Sequence, residues 1–425
     1  MRVCLFEDAG ARNLEPLSLM RPVFKLICGQ TTLAAKQWRY FAPCEVGALV
    51  RPHLADLYRL LRPRTVVNDL SWLRSEPAIL INGRWLPPAD VALDISGPAV
   101  ALVDDQVAYA ILGPDRLADC DADTIDDCLE SWKATLPARP AGGHMIDYLW
   151  DLLEHNAAQI TADCRHHSKA CVRKGPLPLS LVGPADRLWI DPTAMLDPLV
   201  VADTTNGPVV IDAQAVVHAF SRLEGPCYIG PQSHVVGGKI RAGTSIGPNC
   251  RVGGEVEGSI IHGYSNKYHD GFLGHSYVGE WVNLGAGTQT SDLRNDYGEV
   301  KVVVNGALVP TGSKKVGSFI GDHTKVGLGT LLNTGSNIGV FCNLLPSGTY
   351  LPKHVPSFAS WWNGALVDRC DLRQEEQTAG LVMRRRGWAY SDIHAELVRY
   401  LHQETAAERR RTISHAEQRR LRRSA

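Results

Sequence analysis

Residues 259–348 read SIIHGYSNKYHDGFLGHSYVGEWVNLGAGTQTSDLRNDYGEVKVVVNGALVPTGSKKVGSFIGDHTKVGLGTLLNTGSNIGVFCNLLPSG. From Ile320 in steps of six come Val326, Leu332, Ile338 and Leu344, all aliphatic, with Gly321, Gly327 and Gly339 following three of the five. A period of six is neither the 3.6 of an amphipathic helix nor the 2 of a half-buried strand, so it marks no face of either element. It marks a coil. Three hexads make one turn of a parallel β-helix, in which each aliphatic side chain points to the axis and stacks on its counterpart one coil below.

The same period recurs upstream at Ile229 and Val235 and, after a slip of one, at Ile240, Ile246 and Val252; Val278 and Leu284 continue it. A weaker run passes through Val182, Leu188, Val200 and Ile211, which sets the solenoid at roughly residues 178 to 355. Coil stacking alone does not require the polar middle, which includes Asn266, Lys267, His269, Asp270, His275, Tyr277, Asn283, Asn295, Asp296, Lys314 and Lys315. That composition marks the middle coils as the place to look for chemistry. Between Thr290 and Lys315 the chain leaves the repeat, and Asn305-Gly306 between two apolar segments is a strong hairpin signal, the hairpin being expected to stand out from one face of the solenoid towards a neighbouring copy.

A chain of 425 residues exceeds the usual single domain, and its 39 glycines and 25 prolines suit tight corners better than a helical bundle. The formal net charge of −1 gives no attraction to nucleic acid or to a membrane surface. Eleven scattered cysteines form no C-x-x-C pair and no zinc spacing, which reads as buried thiols in a reducing compartment. The N-terminus MRVCLFEDAG lacks the apolar core of a signal peptide, and no apolar run is long enough to span a bilayer, so a soluble cytoplasmic protein is expected.

Before the solenoid, the short apolar runs at Val3–Phe6, Thr65–Val67, Ala78–Ile81 and Val100–Val103 alternate with helical stretches. That alternation predicts an α/β domain with a mostly parallel sheet over residues 1–165, the segment 166–178 (HHSKACVRKGPLP) serving as linker. The solenoid domain is then 179–370, with the aromatic cluster Pro356–Trp362 as a cap on its end. The tail 371–425 reads as helix, interrupted at Gly387 and restarted at Ser391. Its arginines alternate with glutamates and no aromatic platform accompanies the last residues, so a solvated helix is favoured over a nucleic-acid arm.

The segment PLSLMRPVFKLICGQ after the first strand resembles the opening of the sugar-phosphate nucleotidyltransferases. Aligned on Pro16, Leu17 and Pro22, this chain has Ala9 and Ala11 where that family has loop glycines, Asn13 at an arginine and Val23 at a lysine. A Cβ in such a loop obstructs the close approach of backbone N–H groups to a phosphate. The resemblance implies a nucleotide and phosphate site near Arg12, Arg21, Lys25, Asn82, Gly83 and Arg84, with Mg2+ possible in this domain and its ligands unknown. Arg84 stands at a position where the family carries a metal-binding aspartate. Slow nucleotidyl transfer, or a phosphate-binding module without turnover, are both consistent with these residues.

Residues 255–348 resemble more specifically the acetyltransferase half of the GlmU-like family, in which a nucleotidyltransferase-like domain precedes a left-handed β-helix. The resemblance implies the left hand, acetyl-CoA as cosubstrate, a small amino-sugar phosphate and a nucleotide as ligands, and a homotrimer. Counting back without a gap from Asn283-Leu284-Gly285-Ala286-Gly287-Thr288, the family's catalytic histidine falls on His269; a gapped alignment places it on His275. His269 is preferred, with His275 as the alternative. Imidazole is the right base, since acyl transfer to an amine requires removal of a proton near neutral pH. Asn283 matches an asparagine near that base; Lys267, Asn295, Tyr297 and Lys315 are candidates for the sugar and its phosphate; Ala286, Gly287, Gly327 and Leu328 match where the coenzyme arm lies. The amides of Gly285 to Gly287 are candidate oxyanion donors. Glu257 replaces a substrate-phosphate lysine. A nucleotidyltransferase that uses the β-helix for oligomerisation, or a sugar-nucleotide-binding protein without activity, are the competing readings.

Overall fold

The computed structural model describes residues 2–41, 45–89, 96–166 and 178–424. Almost all of the expected linker lies outside the described residues. The chain forms two compact units, of which the first comprises residues 1–14, 20–26 and 31–148 and the second 15–19, 27–30 and 149–425.

The first unit is built on a seven-stranded sheet. Its order is Ala138–Pro140, Ala99–Val103, Gln106–Leu112, Ala78–Asn82, Arg2–Phe6, Glu45–Leu49 and Val66–Val67. The central pairs are parallel, as expected of crossover connections, and only Gln106–Leu112 runs against both its neighbours. Leu5, Phe6, Leu80 and Ile81 are fully enclosed, which is why these strands read as unbroken apolar runs rather than alternating ones.

In the second unit the six-residue period is laid out as coils of three strands. Ile190, Ile211, Ile229, Ile246, Ile261, Val278, Ile320, Ile338 and Val355 sit in register on nine successive rungs of one side. Ala202, Leu223, Ile240, Val256 and Leu273 form a second ladder. The third runs Val217, Val235, Val252, Lys267, Leu284, Val326, Leu344 and Trp361. Ile320 stacks on Ile338 and Val326 on Leu344, so three hexads do make one coil. Apart from Lys267 and the partly buried Trp361, these side chains form one continuous core, in which each Val, Leu or Ile is worth about 1.5–3 kcal/mol of burial.

One corner of the coil repeats a left-handed backbone with non-glycine residues: Gln214, Gln232, Asn249, Tyr264, Trp281, His323, Phe341 and Phe358 all have φ between 53° and 61° or close above. Contacts between equivalent side chains offset that backbone cost. The amides bond one another, Asn249 to Gln232 at 2.7 Å and Gln232 to Gln214 at 2.9 Å. The rings above them stack, with His323 and Phe341 centroids 4.6 Å apart and Tyr264 and Trp281 4.4 Å apart. The tail helices Leu372–Arg384, Asp392–Glu404 and Ala406–Ser424 cover this corner, Trp388 meeting Tyr264 and His402 meeting Phe358 edge-on. Gly387 breaks the helix at φ 79°, and His394 completes a capping box with Ser391 at the restart. Arg409 is buried on Asp368 and on backbone carbonyls, which makes that tail arginine a packing residue. The hairpin Ser360–Trp362 with Ala365–Val367 closes the end of the solenoid, where Ile413 and Ala416 also meet the core.

Two features differ from the sequence reading. Helix Leu149–Asp163, expected to finish the first domain, clusters with the solenoid, where Ile160 packs on Val210 and Tyr228. Asn156 fixes it there, donating to Gly243 O at 2.8 Å and accepting from Gly29 N at 2.6 Å. The excursion carries the expected hairpin, Lys301–Val304 paired with Ala307–Pro310 about Asn305 and Gly306, both at positive φ. It folds back on its own coils instead of standing out. Val300, Val302 and Val304 are buried, and Asn337 Nδ2 donates to Val303 O at 2.9 Å.

Ile320 lies mid-ladder with no room to relax. Ile320→Ala is expected to cost about 2–5 kcal/mol. Phe220→Ala, at a residue 76% exposed, is expected to stay within about 0.5 kcal/mol. Thermal unfolding of the two variants checks both; equal melting temperatures would show that the ladder does not carry the fold.

Candidate active site

Glu257, His275, Asp292 and Lys315 meet at one corner of the solenoid. His275 turns the corner with φ 41°, its N–H donating to Glu257 O at 2.9 Å and its carbonyl accepting from Gly317 N at 2.8 Å. Asp292, one coil on, begins the excursion, and Val316 N donates to its carbonyl where the excursion returns. The His275 Nδ1 and Asp292 Oδ2 atoms are 2.7 Å apart, and both side chains are largely buried. A carboxylate only accepts, so Nδ1 is the donor in this contact, and in the neutral imidazole the lone pair is then on Nε2. Gly258 gives the ring its space, since a Cβ there would lie 3.0 Å from Cδ2 and Nε2. Lys315 Nζ stands 3.4 Å from Glu257 Oε1 beside this pair.

His269, the preferred base in the sequence reading, lies elsewhere. It is exposed, its ring beside Tyr268, on the corner that precedes strand Phe272–Gly274. The expected coenzyme residues share that corner, for Gly287 N donates to Asp270 O at 2.8 Å and Gly329 N to Ala286 O at 2.8 Å. Gly287 and Gly329 are both at positive φ, a Cβ on Gly329 would meet nothing within 4 Å, and Leu328 is exposed. A bare glycine shelf of this kind has the room that an extended pantetheine arm needs. Two of the three amides expected as oxyanion donors are already engaged, Gly285 N with Val326 O and Gly287 N with Asp270 O. Asn283 is exposed on the coil side opposite the His275 corner, and Asn295 and Tyr297 are exposed in the excursion.

Lys267, a candidate for the sugar or its phosphate, is buried in the coil. It occupies an aliphatic rung between Val252 and Leu284, is 4% exposed, and donates from Nζ to Gly253 O at 3.0 Å and His269 O at 2.9 Å. Burial pulls its pKa down to about 8, and Asp270 opposes the shift. Its hexad position gave the signal for burial; the polar neighbourhood masked it.

In the first unit, the expected phosphate cations are scattered. Arg12 is exposed, Arg21 is buried, and Lys25 is half-buried. Gly83 is covered by Phe24 and Val23. Arg84 is buried, its Nε and Nη2 on Asp8 at 2.7 and 2.6 Å, and its Nη1 on Asp147 at 2.6 Å and Ile146 O at 3.2 Å. Asn82 Nδ2 adds a bond to Asp8 at 2.7 Å. Both oxygens of Glu7 are taken by Arg51 and the Val23 and Arg51 amides. A magnesium ion does not fit these residues, because the acids near the first strand already hold cations of the chain. Among the described residues no group of three or more His, Cys, Asp or Glu side chains is arranged to hold a metal ion.

The Lys267 shift has a consequence for stability. The folded-state value lies below the unfolded one, so between about pH 8 and 10.5 the unfolded chain keeps a proton that the folded chain has lost, and stability rises with pH. Relative to Lys267→Met, the wild type is expected to gain up to about 3 kcal/mol across that window. Denaturation of both proteins at a series of pH values tests this; a difference independent of pH would refute it.

Residues 3–171 match the sequence model of a family described as sugar nucleotidyl transferase. A bifunctional sugar-1-phosphate nucleotidylyltransferase/acetyltransferase of Sulfurisphaera tokodaii is 35% identical over 119 residues, 28% of each chain. The bifunctional protein GlmU of Prochlorococcus marinus is 32% identical over 130 residues, 30% of this chain and 24% of that one. The GlmU of Rippkaea orientalis is 39% identical over 74 residues, 17% and 15% of the two chains. The chain thus spans about a quarter or less of the length of these curated relatives. With an α/β domain ahead of a long parallel solenoid, these matches support a GlmU-like family for this chain.

Proposed function

We propose that the solenoid transfers an acetyl group from acetyl-CoA to the amine of a small amino-sugar phosphate in sugar-nucleotide biosynthesis. The observation that carries this reading is the His275–Asp292 pair beside Glu257 and Lys315. Acetyl-CoA supplies the activated acyl group: its C–S bond breaks as the C–N bond of the amide forms, and the coenzyme leaves as the thiol. Asp292 holds the Nδ1 proton and orients the ring, and Nε2 takes the proton released as the acceptor nitrogen forms its amide. Lys315 is placed to meet an anionic group of the acceptor once Glu257 releases it. Ala286, Gly287, Gly327 and Leu328 would hold the coenzyme arm along the glycine shelf. Asn295 and Tyr297, exposed on the excursion, are available to an acceptor approaching from outside the coil.

The shelf and the His275 corner are different corners of one coil, separated by the side that contains Phe272–Gly274 and Gln289–Thr290. A site needing both is completed most simply by a neighbouring copy that brings its shelf to the first copy's histidine. This favours a closed homotrimer. Exposed Met195 and Leu199 also suit such an assembly. The described cysteines are free, which accords with a cytoplasmic setting. No helix among the described residues is long and apolar enough to cross a membrane.

His275→Ala is expected to lower acetyl transfer about 10²–10⁴-fold while leaving the fold intact. Asp292→Asn should reduce turnover with little change in coenzyme KM, and His269→Ala should keep most activity. Thiol release from acetyl-CoA with a panel of hexosamine phosphates measures all three. An inactive His269→Ala beside an active His275→Ala would return the base to the ungapped alignment. If the trimer reading holds, mixed oligomers of His275→Ala and Gly329→Trp regain activity that neither parent has.

A further inference from the structure

The first unit carries a cleft of about 430 Å³ at the carboxyl end of strand Arg2–Phe6. Asp8, Asp105, Asp126, Asp127 and Glu130 line it, and its two cations, Arg84 and Lys133, are both committed. Lys133 lies 3.0 Å from both Asp105 and Glu130. Arg84 is more deeply held. Its N–H groups reach Asp8 twice, Asp147, Ile146 O and Gln106 Oε1, the last at 2.7 Å, which accounts for all five donors of the guanidinium. Its Cζ and Nε lie 2.5 Å from where a Cβ on Gly10 would stand, so the guanidinium fills the hollow against the loop after the first strand.

We infer that Arg84 is the resident cation of this cleft: its guanidinium permanently occupies the carboxylates that a divalent metal would need, and the unit neither binds a magnesium–nucleoside triphosphate nor transfers a nucleotidyl group. A triphosphate entering here meets five carboxylates and no uncommitted cation among the lining residues. To be freed, Arg84 would have to leave the buried carboxylate of Asp8 as well as the half-exposed one of Asp147, and uncoupling the buried Arg84–Asp8 pair is strongly unfavourable. The sugar nucleotidyl transferase match over this region describes the fold; the arrangement about Arg84 concerns what the fold still does. The network has a structural role instead, tying together the loop after the first strand, the turn after Ala78–Asn82 and the segment ending at Asp147. This inference is independent of acetyl transfer by the solenoid.

The test uses the full-length protein. Titration calorimetry with UTP, dTTP and ATP, each with magnesium, and pyrophosphate release in the presence of hexose 1-phosphates, should show neither saturable binding nor turnover in the wild type. Arg84→Ala releases Asp8 and Asp147, and its affinity for Mn2+ alone, read by electron paramagnetic resonance, is expected to rise at least about tenfold. Arg84→Gln serves the same comparison if the alanine variant does not fold. Magnesium-dependent nucleotide binding or pyrophosphate release by the wild type would overturn the inference, as would a folded Arg84 variant whose Mn2+ affinity is unchanged.

Discussion

Stacking of like on like across successive coils is the constraint from which the solenoid follows. The sides of each coil enclose one narrow interior, so each aliphatic side chain is covered by its neighbours across the coil and by its counterparts above and below. The nine-rung ladder from Ile190 to Val355 is that requirement in its purest form. It fixes register, because a slip of one residue would turn a whole rung outward. It also leaves the corners as the places where the sequence is free to do chemistry, and the corners have diverged accordingly. One became a ladder of amides and aromatic rings under the tail helices, one a glycine shelf, and one carries His275 with Asp292.

Lys267 and Arg84 show two ways in which this chain holds charge inside. Lys267 interrupts an otherwise apolar ladder and satisfies its ammonium with carbonyls of the adjacent corner, so its burial is offset by hydrogen bonds and by a lowered pKa. Arg84 is surrounded by carboxylates and stays charged, its pKa raised by Asp8 and Asp147 against the opposing effect of burial. The first arrangement leaves a cation that loses its proton in mild alkali. The second makes a permanent one.

How much of this was legible in the sequence depended on whether a residue's role is set by its own coil. The hexad period gave the solenoid, and Ile320, Val326, Ile338 and Leu344 lie on the rungs that it implies. Asn305-Gly306 gave its hairpin, and Ser391 its helix start. The pairing of His275 with Asp292 was harder to read, because Asp292 lies 17 residues beyond His275 and is brought to it only by the closing of a coil. The fate of Arg84 was illegible for a related reason. Asp8 and Asp147 lie 76 and 63 residues away, and nothing local to Ile81–Arg84 announces them.

The composition of the second unit bears on how the chain is made. Ile27 N donates to the hydroxyl of Tyr277 at 2.8 Å across 250 residues of sequence, and Gly29 O accepts from Ser245 Oγ at 2.7 Å across 216. On a ribosome moving at about 5–20 residues per second, the segment 27–30 emerges some tens of seconds before the coils that complete its hydrogen bonding. No single cut divides the polypeptide into its two units, since the solenoid draws two short pieces from within the first thirty residues. The chain thus starts in the α/β unit, gives residues 15–19 and 27–30 to the solenoid, and belongs to the α/β unit again up to residue 148, all before most of the solenoid has been synthesised.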